Sequence, residues 1–561
     1  MNYEKLSLLQ ALRRWPRITM YSIFLSLNIL LWGYDSAIVG NVSSMPVFMK
    51  VFGVPNPDYG GGDSDNKYII ESIWLSIWSI GMPIGSMIGA GTGGWIQDRT
   101  GRKWTLLIGG VVSVIAITVC YVADLAKGGK QGVLLVGKLL EGLVVGVIIC
   151  STQTYLSEVV PARLRGPILA LFPIFTLLGQ LVAAVVVLLQ LGTEGKSGYR
   201  VALASEYPFS AVPIILAFVL PESPVWLIRK EKIEQARSCF KRLHGATVAA
   251  THQDLFDEMH KAVHEEQEKA RGHSANYIDC FRGANLRRTF IVVFAYTIEE
   301  LWGLTLLGHV SYFLQLIGLD SSAAFIILIL GVVFGLFANI ASFWTLLRFG
   351  RRLLILSTLS LVAVVWLSMG IAGCFESKAV PYYIAAAMMA IVITAGLGAW
   401  PAGYVVASET SSLRLRSKTT GLGWLIGGII RLVFGFTVPY LYNTDAANLG
   451  GKIGFVYIAT TGLGVAITWF FVPEMKGLSS SEIDRLFERG AKPWQTGTGF
   501  RRVNTSQFER VDSTEDETPL RNFKTMSSDR SDYDSYSGDI NVQEPMAPQD
   551  AFEPLRKRPT F

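Results

Sequence analysis

The chain has 561 residues, half of them hydrophobic and only 17% charged, against about 25% charged in an ordinary soluble domain; its mean hydropathy is +0.38. So much apolar sequence cannot be hidden inside globular cores, which excludes a soluble enzyme, a nucleic-acid binder and a disulfide-stapled secreted domain together. The net charge of +6 is too small to imply a nucleic-acid partner, and what remains is an all-α polytopic membrane protein.

The first 17 residues carry Lys5, Arg13, Arg14 and Arg17 and form a short N-terminal segment, 1–17. The apolar stretch that follows is too long for the core of a signal peptide and reads as a first spanning helix. Apolar segments near the ~20 residues needed to cross a bilayer recur twelve times: 18–40, 73–96, 104–123, 132–156, 167–190, 204–220, 288–314, 322–347, 353–373, 381–407, 418–441 and 453–472. They divide into an N-terminal half, 18–221, and a C-terminal half, 288–473. The polar linker between them, 222–287, has a helical pattern and holds five of the six histidines. His252, His260, His264 and His273 sit among acids and bases and read as a solvated helical surface. Residues 474–561 form a tail; from about 492 it is rich in Ser, Thr, Asp and Glu and is expected to be mostly disordered. The five cysteines (Cys120, Cys150, Cys239, Cys280 and Cys374) have no metal-ligand spacing and read as free thiols.

Basic residues mark alternate connections: Arg13/Arg14/Arg17, Arg99/Arg102/Lys103, Arg163/Arg165, the linker, Arg348/Arg351/Arg352 and Arg414/Arg416/Lys418. By the positive-inside rule both termini and the linker are cytoplasmic. The sequon Asn41-Val42-Ser43 then lies at the outer end of the first helix, which makes Asn41 a candidate glycosylation site.

The halves repeat each other. Arg99-Thr100-Gly101-Arg102-Lys103 is echoed by Arg348-Phe349-Gly350-Arg351-Arg352, Glu158 and Arg165 by Glu409 and Arg416, and Pro221-Glu222 by Pro473-Glu474, at offsets of 249 to 252 residues. Two six-helix halves related by an axis along the membrane normal follow, with a site between them near the midplane.

Gly94-Trp95-Ile96-Gln97-Asp98-Arg99-Thr100-Gly101-Arg102-Lys103 resembles the loop 2–3 signature of the major facilitator superfamily. Tyr155 to Gly166 and Pro221-Glu222-Ser223-Pro224-Val225-Trp226-Leu227 resemble sugar porter signatures. Gly33-Tyr34-Asp35 and Leu415-Arg416-Ser417-Lys418-Thr419 are most similar to the fungal maltose/α-glucoside permease branch. The resemblance covers about residues 18–478. It implies that Asp98, Arg99, Arg102, Glu158, Arg165 and Glu222, with a second copy in Arg348, Arg351, Glu409, Arg416 and Glu474, clasp the cytoplasmic side when the protein opens outward. The plainer reading is that these charges anchor loops at the headgroups.

Asp35 stands in an otherwise apolar helix, roughly 27 Å above Arg17 at about 1.5 Å per residue. Ionisable residues inside the membrane are costly and functional by default. In the sugar porters an acid after Gly-Tyr implies proton coupling, with an arginine on the fourth helix and a glutamate in an Ala-Ser-Glu stretch as partners. Here Glu206 matches the glutamate, while Lys138 takes the arginine position. Lysine can lose its proton when buried and arginine cannot. Glu141 shares a helix face with Lys138 and is an alternative partner to Asp35.

The pocket departs from the family. Glu299-Glu300 stands where sugar porters carry paired amides, which suit hydroxyls because they both donate and accept. Two readings stay open: one glutamate faces the cavity and, protonated, acts like an amide, or both pair with a base such as Arg431. Gln180 fits the family, Tyr404 replaces an aromatic lid, and Gly427-Gly428 stands where an asparagine is usual. Thr305 completes the seventh-helix candidates. Trp302, Trp400 and Trp424 are candidates to stack on a ring, against the alternative of packing.

The expected function is secondary active transport of a sugar, disaccharide or polyol, with proton-coupled import by alternating access. The alternatives are a facilitator or exporter of another small polar metabolite, and a non-transporting nutrient sensor. No nucleotide-binding loop, metal cluster or nucleophile motif is visible, so neither enzymatic activity nor a cofactor is expected. The expected partners are the solute, protons and the bilayer, for a monomer in the plasma membrane.

Overall fold

The computed structural model describes residues 8–55 and 68–496, apart from 162–163, 165–167, 169–170, 194, 246–255, 258, 262, 265–276, 413–414, 477, 479 and 491. Arg165, the side chain of Arg416 and the tail beyond 496 lie outside the described residues. Twelve helices among them are long and apolar enough to span a bilayer. They are α1 (Pro16–Ser43), α2 (Ser72–Thr100), α3 (Arg102–Leu125), α4 (Lys130–Val159), α5 (Phe172–Gln190), α6 (Ser197–Val219), α7 (Ala284–Leu307), α8 (Ser321–Arg348), α9 (Arg351–Ala372), α10 (Val380–Thr410), α11 (Lys418–Tyr442) and α12 (Gly450–Phe471). The protein is therefore a twelve-span bundle of two six-helix halves. Large apolar side chains such as Ile88, Leu189, Ile215, Phe218, Phe337 and Leu361 stay exposed on the outside. In a bilayer that surface meets lipid and needs no further partner.

Most boundaries lie within a few residues of expectation. The largest differences are α6, which starts at Ser197 rather than 204 because a separate short helix, Ser197–Ala204, precedes the apolar run, and α7, which ends at Leu307 rather than 314. Four of the spans are interrupted. α1 bends at Leu27, α6 at Ser205–Glu206, and α10 at Gly398. α7 breaks at Trp302–Gly303 and is followed by a further helix, Val310–Leu316. Gly303 has φ +105°, and a Cβ there would meet the Trp366 ring at 2.7 Å, so only glycine allows this break. An interrupted helix inside a membrane bundle leaves backbone groups to be satisfied by the protein or by a cavity.

Close backbone approach sets the packing of the first half. α1 crosses α5 at Gly33 and Gly179, where a Cβ on Gly179 would lie 2.7 Å from the Tyr34 backbone nitrogen. Between the halves, α2 packs against α11 and α5 against α8. The amphipathic helix Ser480–Glu488 buries Ile483, Leu486 and Phe487, and Asp484 pairs with Arg288. Pro493–Gln495 and Thr496 also belong to this compact unit, which extends to Gly497. The described residues of this unit therefore reach a little past the composition change near 492.

Candidate functional site

The first half buries four ionisable side chains together. Lys138 Nζ lies 2.6 Å from Asp35 Oδ1 and also bonds Glu141 Oε2. Carboxylate oxygens of Asp35, Glu141 and Glu206 lie within 4.8 Å of one another, and none of the four residues is more than 2% exposed. Lys138 therefore serves both acids that the sequence offered as alternatives. Asp35 Oδ2, Glu141 Oε1 and both oxygens of Glu206 have no hydrogen-bond partner among the described residues. Three carboxyls face one ammonium here, so the cluster approaches neutrality only by holding protons. The fold brings it together in three ways. The α1 bend and the Gly33–Gly179 crossing seat Asp35 against the core. Lys138 and Glu141 are neighbours on one face of α4. Glu206 sits at the break of α6. Tyr34 locks the break by donating to the Ala202 carbonyl at 2.7 Å and meeting Ser205 Oγ.

The second half holds its own network. Arg431, in the middle of α11, places Nε 3.1 Å from Glu300 Oε1 and bonds Glu299 Oε1 through a terminal nitrogen. The other Glu299 oxygen accepts from the Tyr404 hydroxyl at 3.2 Å, and the other Glu300 oxygen accepts from Thr305. All four carboxylate oxygens are thus engaged inside the protein. This is the geometry of the paired reading, in which both glutamates share one base. Arg431 also lies over the Trp32 ring at 5.7 Å, and Trp32 meets Trp424 edge-on at 6.3 Å across the halves. Trp424 in turn lies 5.1 Å from Tyr296, so it packs within an aromatic wall.

A cavity runs between the halves, lined by residues of α1, α5, α7, α8 and α10. Its free volume is about 30 Å³, room for one or two waters rather than a sugar. Gln180 and Trp302, both expected at the site, line it with Asn41 and Trp400. Gln180 donates to Ser36 Oγ at 3.3 Å. The two tryptophan rings lie 5.5 Å apart. Asn41 is 1% exposed, and its Oδ1 accepts from Ser311 Oγ at 3.2 Å. This corrects the glycosylation expectation. A glycan needs an amide that reaches solvent, and this one points into the interior.

Hydrogen bonds between the halves gather at the outer end. Asn443, after α11, donates to the Ile70 carbonyl at 3.0 Å and to Ser72 Oγ at 3.1 Å across the halves, and accepts from Tyr312 of its own half. Asp445 accepts from the Ser72 backbone N–H at 2.8 Å and from its hydroxyl. Ser76 reaches the Phe436 carbonyl, and Ser79 lies 3.1 Å from His309 Nε2. The outer side is closed in this structure.

At the cytoplasmic end the expected gate residues pair within each half. Arg102 bonds Glu158 at 2.7 Å and lies 3.5 Å from Asp98; Arg351 bonds Glu409 at 2.9 Å. Glu222 and Glu474 bond backbone groups in this structure. Glu222 accepts from the backbone N–H groups of Arg102 and Lys103 at 3.0 and 3.2 Å, and Glu474 from those of Arg351 and Arg352 at 3.0 and 3.2 Å. Each caps the N-terminus of a long helix, where free donors and the helix dipole favour a carboxylate. Burial pushes the Glu222 carboxyl above its usual range, and the N–H groups of Ser223, Lys103 and Arg102 pull it partly back. Arg99 stacks on Trp95 at 4.0 Å, outside the cluster. Arg348 offers its carbonyl to Lys476 at 2.9 Å.

Trp32 and His309 had not been singled out from the sequence, and Asn41 had been named only as a sequon. Arg431 had been named only as a partner. Its position in the middle of a span carries the same signal as Asp35.

Comparison with known proteins agrees with this architecture. The family described as sugar (and other) transporter matches residues 21–487. The MFS transporter fmqE of Aspergillus fumigatus is 29% identical, covering 88% of this chain and 92% of that protein. The general α-glucoside permease of Saccharomyces cerevisiae is 26% identical, covering 87% of this chain and 78% of the permease. Among solved structures, the partially occluded inward-open xylose transporter XylE from E. coli superposes with a TM-score of 0.67 at 20% identity. That match covers 83% of this chain and all of XylE. XylE described as a proton:xylose symporter, bound to 6-bromo-6-deoxy-D-glucose, gives a TM-score of 0.66 at 21% identity. It covers 85% of this chain and 100% of that one.

Proposed function

The chain belongs to the sugar (and other) transporter family, and from that premise we propose that it moves a sugar or sugar-bearing solute by alternating access, driven by protons. The observation that carries the coupling is the buried cluster of Asp35, Lys138, Glu141 and Glu206, with four carboxylate oxygens unpartnered. With Lys138 charged, neutrality leaves one carboxylate ionised and two protonated. Losing a proton while buried leaves uncompensated charge, which is costly. Opening the site to water lowers that cost, so proton release is tied to the change of access. The solute path is the cavity between the halves. The bonds of Asn443 and Asp445 hold its outer mouth shut, and intact halves hinge around it. Among the relatives, the yeast permease is named for α-glucosides and XylE is titled a proton:xylose symporter; both support this reading. We place the protein as a monomer in the plasma membrane, with residues 474–561 as its cytoplasmic tail. The cytoplasmic pairs Arg102–Glu158 and Arg351–Glu409 are the expected gate, exchanging partners when the outer side opens.

The test is uptake and efflux of labelled sugars, glycosides, polyols and organic acids in a transporter-null host, with and without an inward proton gradient. Accumulation of a sugar-class solute that collapses when the gradient is removed is the expected result. Transport of organic acids alone would overturn the reading.

A further inference from the structure

Among the described residues, three N–H donors buried around one cavity have no acceptor. They are Asn41 Nδ2, Trp302 Nε1 and Trp400 Nε1, each on a residue that lines the space between the halves. The rest of the lining is dominated by side chains such as Leu177, Leu304, Val332, Met388, Met389 and Val392. A buried donor without a partner is destabilising, so these donors are completed by water or by a solute that brings acceptors. A free hexose is poorly matched. Each of its hydroxyls donates as well as accepts, and the carboxylates that would take those protons, Glu299 and Glu300, do not line this cavity and already accept from Arg431, Tyr404 and Thr305. Hydroxyls turned toward Leu, Val and Met side chains would lose their water without replacement. Apolar walls with a few fixed polar groups are the usual makeup of a pocket for a mostly apolar ligand.

We propose that the solute is a conjugate whose larger part is an apolar ring system bearing carbonyl or ether oxygens, as in an aryl glycoside, rather than a free sugar. This rests on the transport reading above and narrows its substrate class. The ring system lies among the aliphatic side chains, and its oxygens accept from the two indoles and the Asn41 amide.

The test uses the purified full-length chain in detergent and follows the rise of its unfolding temperature with ligand concentration, since a ligand of the folded state stabilises by mass action. The probes are 4-methylumbelliferyl glucoside, glucose, and 7-methoxy-4-methylcoumarin, which keeps the ring system and loses the sugar. The expected result is half-maximal stabilisation by the aryl glucoside at a concentration at least tenfold below that for glucose. Glucose acting as well as or better than the glycoside overturns the inference and leaves sugar transport standing. Stabilisation by the coumarin alone, with both sugars silent, overturns the conjugate inference and the sugar reading together. Silence from all three overturns both. Val332→Asn, which puts a donor and acceptor among the aliphatic side chains, is expected to shrink the glycoside-to-glucose ratio at least threefold. An unchanged ratio in a variant that still unfolds cooperatively counts against the inference.

Discussion

Arg431 serves two consecutive glutamates, with Nε 3.1 Å from Glu300 and a terminal nitrogen bonded to Glu299. Adjacent residues on a helix point about 100° apart, so one cation reaches both only because the guanidinium is a fork. Removing the cation strands two buried carboxylates. Arg431→Ala is expected to lower stability by about 3–5 kcal/mol and to reduce surface abundance sharply. Arg431→Gln combined with Glu299→Gln and Glu300→Gln is expected to recover most of the loss. Normal abundance of Arg431→Ala in a cell-surface assay would remove the network from any structural role.

The lysine-centred cluster yields a different signature. Asp35→Asn is expected to abolish accumulation against a gradient while leaving exchange between equilibrated pools, because it keeps the shape and removes a titrating group. Lys138→Arg keeps a cation that cannot release its proton, so accumulation is expected to survive only if the carboxyls alone carry the protons. Gradient-driven uptake measured beside counterflow separates these effects. Accumulation by Asp35→Asn at acidic external pH would end the assignment of Asp35.

At the outer end, Asn443→Ala removes the bonds to Ile70 and Ser72 that cross between the halves. At about 1 kcal/mol per bond, the outward-open population is expected to rise at least fivefold. A cysteine placed at Ala37, which lines the cavity, reports it through its labelling rate with an impermeant maleimide applied outside. An unchanged rate would show that these bonds do not hold the closure.

Glu222 provides a pH test. Its folded carboxyl titrates above the usual range because of burial. On raising the pH, the unfolded chain therefore ionises first. The stability this group contributes is fully present below the ordinary glutamate range and is lost as pH rises through the raised folded value. Glu222→Ala, which loses the cap, is expected to cost about 1–2 kcal/mol. Glu222→Gln keeps one capping oxygen, is expected to cost less, and flattens this part of the melting temperature's pH profile. A steeper profile in Glu222→Gln would contradict the sign.

Truncation locates the end of the folded unit. The Glu474 backbone N–H donates to Thr496 Oγ1 at 2.9 Å, and Arg352 donates to the Pro493 carbonyl at 3.2 Å. A stop after Gly497 is expected to leave transport per surface molecule unchanged. A stop after Gly490 is expected to lower the melting temperature. Equal behaviour of both truncations would place the boundary earlier.

Span number and order were legible because about twenty apolar residues in a row have one cheap solution. The repeat was legible because charges are scarce enough for Arg102 and Arg351, or Glu158 and Glu409, to stand out. The breaks at Leu27 and Gly303 were not, since an apolar run looks the same whether or not its helix is continuous. Asp35 and Lys138 were visible as charges in apolar helices. What Glu222 does was hidden, because its partners are backbone N–H groups, which every sequence has. For Trp302 and Trp400 the sequence left packing and ring-stacking both open, because an indole in an apolar run looks the same in either role; both line one cavity.

Glu222 and Glu474 bear on how force travels through the molecule. Each sits just past the sixth helix of its half and grips the first turn of the third, fastening two ends that would otherwise slide separately. Each half is therefore braced at its cytoplasmic rim like a cross-tied frame. A push on one helix from the cavity swings the whole frame, and displacement accumulates at the rim, far from where the solute sits.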